Sequence, residues 1–403
     1  MKLQLTRVIG LFLASASLAG TAQARTIDVA PGDGAQTRLQ EALIVAAPGD
    51  VVQLGAGVFM LTDGLSLDVD GVTVRGAGMD RSILNFSGQV GAGEGLLVTS
   101  DDVVLRDFGV RDSKGDGIKS KGADRIVYLS LRVEWSGPPR ATNGSYGVYP
   151  VESEHVLVDG VVVRGASDAG IYVGQSRNIV VRDSIAVENV AGIEIENCYN
   201  ADVHDNVATQ NTGGILVFDL PGLPQQGGHS VRVFENIIVN NMTANFAPAG
   251  NIVATVPTGS GVIVMANREV EIFDNVFDGN GTANILITAY RYGRMSEGYQ
   301  PLPTRIRALE NVHGRAGFQP ALPGGAEMAV AFGGSIPPVM WDGAGSEISV
   351  ADDVAAMTLN LADISKAREE SSPAPVDLSV DSGWARVAAV TLPAAMEMAA
   401  ALP

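Results

Sequence analysis

One cysteine, Cys198, stands in the 403 residues, so no intrachain disulfide can form and the fold must rest on core burial. Histidine is almost as scarce: His155, His204, His229 and His313 lie far apart, without the short spacings that mark zinc or copper ligand sets. Charged residues make up 18% and aromatics 5%, against 46% hydrophobic, which is too apolar for a disordered chain. Past the first 24 residues no apolar run approaches the roughly 18 residues of a spanning helix. Basic residues are also short, 27 Lys+Arg against 45 Asp+Glu for a net charge of −18. That balance excludes nucleic acid as a partner. An acidic polysaccharide would be repelled except at a local basic patch or through bound cations.

Glycine is what the chain has in plenty, 48 residues with 19 prolines, which favours many short strands joined by tight turns over long helices. Residues 1–24 carry Lys2 and Arg7, an apolar run from Val8 to Gly20, and the triplet Ala22-Gln23-Ala24. This pattern predicts a Sec-type signal peptide cleaved after Ala24, a periplasmic or secreted product, and no membrane association after cleavage. No cysteine follows the cleavage site, which excludes a lipid anchor there.

A repeat sets the architecture. Gly117-Ile118-Lys119-Ser120-Lys121, Gly147-Val148-Tyr149-Pro150-Val151, Gly170-Ile171-Tyr172-Val173-Gly174 and Gly192-Ile193-Glu194-Ile195-Glu196 share one frame. Gly214-Ile215-Leu216-Val217-Phe218, Gly261-Val262-Ile263-Val264-Met265 and Asn284-Ile285-Leu286-Ile287-Thr288 continue it. The undisturbed period is 22–23 residues, from Gly147 to Gly170 and on to Gly192. That is longer than a hairpin and shorter than a βαβ unit, and fits one coil of a parallel β-helix. Each unit adds a second strand (Val156-Leu157-Val158, Ile179-Val180-Val181) and a third (Val161-Val162-Val163, Ile185-Ala186-Val187), giving a triangular coil. The predicted fold is an all-β, single right-handed parallel β-helix of about eight to ten coils stacked ~4.8 Å apart.

Asp205-Asn206, Glu235-Asn236, Asp274-Asn275 and Glu310-Asn311 recur between second and third strands, where stacked amides would bond along the axis. A short amphipathic helix at about 38–47 is placed to cap the first coil, because a bare terminal coil exposes core and unpaired edges. The β-helix is expected over 25–315, with 316–403 as C-terminal cap and irregular tail. Insertions at Leu220–Gly228 and Met242–Thr258 flank the first strand, and loops in such places often carry function.

The run Gly64-Leu65-Ser66-Leu67-Asp68-Val69-Asp70-Gly71-Val72-Thr73-Val74-Arg75-Gly76-Ala77-Gly78 resembles the secreted parallel β-helix repeat proteins of proteobacteria. So do Gly165-Ala166-Ser167-Asp168-Ala169-Gly170-Ile171-Tyr172, Val190-Ala191-Gly192-Ile193-Glu194-Ile195-Glu196-Asn197 and Thr212-Gly213-Gly214-Ile215-Leu216-Val217-Phe218. The resemblance covers about residues 27–315 and implies the fold, export and often a co-exported protein, but no assigned activity. More distantly the repeats are similar to the pectate-lyase-like superfamily of carbohydrate-binding and sugar-hydrolysing β-helices. They also resemble the periplasmic β-helix protein of copper-enzyme maturation, a reading that the scarcity of His and Cys disfavours. The paired-aspartate and lysine/histidine sets of polygalacturonases and alginate epimerases do not occur in this frame.

Strand alternation then assigns the faces. If the uniform Ile/Val position points inward, one outward column reads Lys119, Tyr149, Tyr172, Glu194, Leu216, Ile263, Leu286. Its neighbour reads Lys121, Val151, Gly174, Glu196, Phe218, Met265, Thr288, and the strand's end gives Gly122, Glu152, Gln175, Asn197, Asp219. The face grades from basic through aromatic and acidic to apolar. Lys119 and Lys121 are candidates to hold an anionic sugar, Tyr149 and Tyr172 to stack on sugar rings, and Gly174 leaves a gap in the wall. Glu194 and Glu196, at i and i+2, have Cα atoms about 6.5–7 Å apart, near the carboxyl spacings used in glycoside hydrolysis.

The candidate catalytic set is Glu194, Glu196, Asp168 and Tyr172; the candidate substrate-binding set is Lys119, Lys121, Tyr149, Gln175, Asn197, Asp219 and Phe218. No cofactor is implied with certainty, and calcium at Glu194, Glu196 and Asp219 is the one metal reading that the residue types allow. Trp135 and Tyr146, at the two ends of a long turn, are placed to reach the same face. Two functions stay open. The chain binds or processes a polysaccharide or oligosaccharide on this face, as a lyase, hydrolase or epimerase. Alternatively it is a non-catalytic scaffold that docks a co-exported protein through Leu216, Phe218, Ile263 and Met265.

Overall fold

The computed structural model describes residues 24–401 apart from 92, 294, 381 and 382; residues 1–23 of the expected signal peptide lie outside the described residues. Each coil contributes one strand to each of three sheets, which hold 12, 12 and 10 strands among the described residues. A strand pairs in parallel with the strand three further along the chain: Ala169–Gly174 with Ala191–Glu196, and that with Gly213–Phe218. The result is the right-handed parallel β-helix expected from the repeat. The frame strands form the first sheet, the Val-Leu-Val strands the second and the short Val/Ile strands the third.

The inward column of the first sheet, Ile118, Val148, Ile171, Ile193, Ile215, Val262 and Ile285, is fully buried. Stacking like on like fills the tube with these side chains, and each contributes about 1.5–3 kcal/mol on burial. The corners need backbone turned into the left-handed region: Glu152, Gln175 and Asn197 all have φ between 46° and 56°. Asp183, Asp205, Glu235, Asp274 and Glu310 repeat this before the third strand. Small polar side chains tolerate it best.

The expected asparagine ladder is present. Asn206 Nδ2 donates to Asn236 Oδ1 at 3.0 Å, Asn236 to Asn275 at 2.9 Å and Asn275 to Asn311 at 2.9 Å. A second ladder, not foreseen, climbs the corner between third and first strands through Asn189, Asn211, Asn241 and Asn280. Cys198 is wholly buried, where its Sγ reaches the Val173 carbonyl and burial pushes the thiol up.

Helix α1 (Ala35–Val45) lays Leu39, Ala42 and Leu43 on the first coils, starting three residues earlier than the sequence pattern indicated. Parallel stacking runs past residue 315, through Val339–Trp341 to Ala356–Thr358, where antiparallel Ala374–Val376 closes the sheet. Helix α2 (Gly325–Ala331) sits in the segment before that coil. Residues 384–401 then run back along the outside of the second sheet. Arg307 donates to the Trp384 carbonyl at 2.8 Å, Arg386 reaches Glu271 at 2.6 Å, and Val390 N–H donates to Asp202 at 3.0 Å. Leu392 and Met396, the latter on helix α3 (Ala394–Ala401), pack on Val127, Leu129, Leu157 and Val180. The tail, without regular secondary structure over 383–393, is therefore a strap that lies along the coils and ends in α3.

Candidate active site

The register places the outward columns as alternation required. Tyr172 pairs with Glu194, Glu194 with Leu216 and Leu216 with Ile263, while Gly174 pairs with Glu196 and Glu196 with Phe218. What differs is exposure. The face is not an open solvated surface: Tyr172, Glu194 and Glu196 keep 4%, 1% and 6% of their accessible surface. The chain itself makes the roof. Phe246, Ala247, Ile252, Val253 and Val256 of the Met242–Thr258 insertion join Tyr172, Leu216, Phe218, Ile263 and Met265 in one apolar cluster.

Three tyrosines form the aromatic wall. Tyr146 lies 4.5 Å from both Tyr149 and Tyr172 between ring centroids, and Tyr149 meets Tyr172 edge-on at 4.9 Å. Tyr146 stands in front of the frame glycine, where the following coils carry Ala169, Ala191, Gly213, Ser260 and Ala283. These small residues make room for the roof. The gap at Gly174 is filled by the Tyr172 ring, whose Oη would lie 2.6 Å from a Cβ at that position.

The Tyr172 hydroxyl donates to Glu196 Oε1 at 2.6 Å, and Gln175 Nε2 donates to the Tyr172 oxygen at 3.2 Å. Asp168, in the turn before the same strand, accepts from Asn251 Nδ2 at 2.9 Å, which ties the roof to the acidic cluster. Glu194 is different: both of its carboxyl oxygens are buried without a hydrogen-bond partner. Burial with two neighbouring carboxylates, Glu196 and Asp168, pushes the Glu194 carboxyl well above its ordinary range. Burial also lifts Glu196 to about 7, opposed by the Tyr172 hydrogen bond, and Asp168 to about 7, opposed by bonds from Asn251 and Tyr146. Charges forced into low dielectric next to like charges take up protons.

The remaining candidates divide. Lys119 reaches Glu94 at 3.2 Å and Asp116 at 3.8 Å and sits over the Tyr149 ring, while Lys121 pairs with Glu152 at 3.6 Å. Neither ammonium is an uncommitted anion receptor. Asn197 is wholly buried, donating to the Leu220 and Gln225 carbonyls and accepting from Leu220 N–H, so it anchors the Leu220–Gly228 insertion. Asp219 accepts from Gly228 N–H at 2.8 Å, keeps Oδ2 unpartnered and is raised to about 6, chiefly by burial. Phe218 lies over the apolar end of the face, lining a crevice with Ile263, Met265, Leu286 and Met340. Trp135 belongs to the tube's core, its indole N–H donating to the Ser113 carbonyl at 2.7 Å, which corrects its expected reach to the face.

Leu216, Phe218, Ile263 and Met265, the residues expected to dock a co-exported protein, are buried and pack with the Met242–Thr258 insertion. Calcium does not fit Glu194, Glu196 and Asp219 as they stand. Calcium takes six to eight converging oxygens. Here Glu196 Oε1 is held by Tyr172, and among the described residues the group whose ligand atoms all lie within 4.8 Å of one another is His204, Asp205 and Glu235, on the outer corner of the second sheet. His204 there stacks on Phe234 at 4.7 Å.

The sequence reading missed Asn251, Asp116 and Glu94. Asn251 lies in an insertion without periodicity, so no pattern signals it. Asp116 did carry one: it precedes its frame glycine as Tyr146 does.

Residues 56–222 match the family model described as the right handed beta helix region. This chain is a right-handed parallel β-helix protein. No curated protein matches its sequence. Among solved structures, the β-helix protein is similar to a mutant of DFA-IIIase from Arthrobacter chlorophenolicus A6 in complex with DFA-III, with TM-score 0.54 and 12% identity over 90% of this chain and 93% of that one. It is also similar to the GH87 alpha-1,3-glucanase of Streptomyces thermodiastaticus, with TM-score 0.52 and 15% identity over 83% and 65%. A third is an Azotobacter vinelandii mannuronan C-5 epimerase A-module, with TM-score 0.50 and 16% identity over 79% and 88%. No helix among the described residues is long and apolar enough to cross a membrane.

Proposed function

We propose that this β-helix protein is an exported carbohydrate-processing protein that binds an oligosaccharide at Tyr146, Tyr149 and Tyr172 and cleaves a glycosidic bond with its carboxyl pair. One observation carries the reading: Glu194 holds a buried carboxyl with both oxygens unpartnered, two residues from Glu196, which takes the Tyr172 hydroxyl. Buried polar atoms without partners in a folded chain call for a missing partner. A saccharide is dense in hydroxyl donors and suits them.

The arrangement separates two roles. Glu194, raised furthest, is the group that stays protonated at neutral pH and can give a proton to a leaving oxygen. Glu196, held lower by the Tyr172 donor, is the one that ionises first and can act as base toward water. Tyr146 and Tyr149, the partly exposed rings of the wall, supply the apolar surface on which a sugar ring stacks, with Tyr172 packed behind them. Both lysines near the site already have carboxylate partners, which favours this acid–base route over a lyase or epimerase route through a lysine base. The glucanase and the epimerase named above give precedent for the fold in saccharide chemistry.

The test is a glycan array on residues 25–403, followed by turnover assays on any binder, with Tyr172→Ala as the control. Saturable binding that the variant loses is the expected result. Absence of binding to every glycan would sink the proposal.

A further inference from the structure

The saccharide's chemical class can be taken a step further, on the footing of the function just proposed. The carboxyls whose charge bears on Tyr146 and Tyr149 are those of Asp116, Glu152, Asp168, Glu194 and Glu196. Asp219, which bears on Glu196, adds another. Next to them an open polar groove runs along the corner of the coils, lined by Asp124, Glu152, Glu154, Gln175, Arg177 and Gln225. Gln175 joins the two, because the same side chain lines the groove and donates to the Tyr172 oxygen.

Cations along this path are few. Lys119 is held between Glu94 and Asp116, and Lys121 faces Glu152. Arg177 is the basic residue lining the groove, against three carboxyls there. A bound uronate needs its carboxylate met by a guanidinium or ammonium in close geometry. At Glu194 and Glu196 it would meet oxygen atoms of its own sign in a dry site, where like charges repel far more than in water. Protonation of Glu194 removes one such charge, but it leaves the others and supplies no cation.

We infer that the site takes an oligosaccharide without acidic groups, neutral or amino-bearing, and rejects uronic-acid polymers. Its hydroxyl or ammonium groups would donate to Glu194 and to the acidic groove, turning unpartnered acceptors into satisfied ones. The net charge of −18 on the whole chain acts in the same direction at long range.

Calorimetry at pH 7.5 and 0.15 M salt would compare oligomers of matched length: a neutral glucan series, a glucosamine series and a uronate series. The expected result is measurable binding by a neutral or amino series, with uronates on the order of 10–100-fold weaker. Asp116→Asn, beside Lys119 and Tyr149, should narrow that gap, and so should Glu196→Gln. Tightest binding by the uronate series, lost in Tyr172→Ala, would keep the site as a saccharide site and overturn the inference about charge. No binding by any series, together with a blank glycan array, would take down the proposed function itself and this inference with it.

Discussion

The Tyr172 hydroxyl donates to Glu196 Oε1 at 2.6 Å across two adjacent coils, and the tyrosine ring lies over Gly174, two residues further along its own strand. A phenol that donates to a carboxylate favours its ionised form. Tyr172 thereby holds apart the protonation states of two carboxyls that burial would otherwise raise together.

Removing that donor has a signed consequence. Tyr172→Phe keeps the ring and deletes the hydroxyl, so the Glu196 carboxyl, already pushed up to about 7, should climb further. Turnover should fall roughly 10–100-fold, less than the roughly 10²–10⁴-fold of a lost general acid or base because Glu196 itself remains, and its acid limb should shift to higher pH. An unchanged limb would separate Tyr172 from Glu196. The pH–rate profile on a binding glycan measures this.

Space makes a second prediction at the same point. A Cβ at Gly174 would stand 2.4 Å from the Tyr172 ring, so Gly174→Ala must displace the ring. Overpacking of this kind costs about 1–3 kcal/mol. Glycan affinity should drop with it, while Gly222→Ala, where no atom lies within 4 Å, tests only the strain of its own positive φ. Thermal unfolding and binding titrations of the pair would check both halves.

Stability should fall as pH rises through the window set by the buried carboxyls. Glu196 and Asp168 are raised to about 7 in the folded chain, above their ordinary values of 4.5 and 3.8. The folded state therefore binds more protons than the unfolded one between about pH 4 and 7, and stability declines with pH across that interval. Melting temperature should be higher at pH 5.5 than at pH 8. Glu194→Gln, which removes the most strongly raised group, should flatten the slope; an equal slope in the variant would refute the assignment.

The ladder at the second corner is a stability element. Asn236 Nδ2 donates to the Val203 and Phe234 carbonyls and to Asn275 Oδ1, and its own Oδ1 accepts from Asn206. Asn236→Ala strands several buried groups, at about 1–3 kcal/mol for each left unsatisfied. Chemical denaturation should show a loss of at least that size, without loss of parallel-sheet circular dichroism at low denaturant.

The returning tail offers a deletion test. Truncation after Gly383 should expose Val127, Leu129, Leu157 and Val180 and remove the Arg386 partner of Glu271. Hydrophobic-dye binding and faster amide exchange in the second sheet are expected, with the first-sheet site intact.

The repeat, the register and the two columns of the first sheet were legible in the sequence because a β-coil obeys short-range rules. Alternation has a period of two, and stacking requires like to sit on like, so the Ile/Val positions had to face inward and Tyr172 and Glu194 outward. The Asp-Asn and Glu-Asn turns announced one ladder for the same reason. The second ladder was hidden because its preceding residues, Glu188, Gln210, Asn240 and Gly279, share a backbone conformation and not a composition. Burial of the outward face was decided by tertiary structure alone. Asn251 reaches Asp168 over 83 positions of chain, Tyr299 donates to the Asp219 carbonyl over 80, and the strap meets Asp202 over 188. Such contacts join aperiodic loops to a periodic frame, and no local pattern specifies where a loop folds back. Outward therefore followed from the sequence, but buried, protonated and roofed did not, because those depend on which distant segment excludes the water.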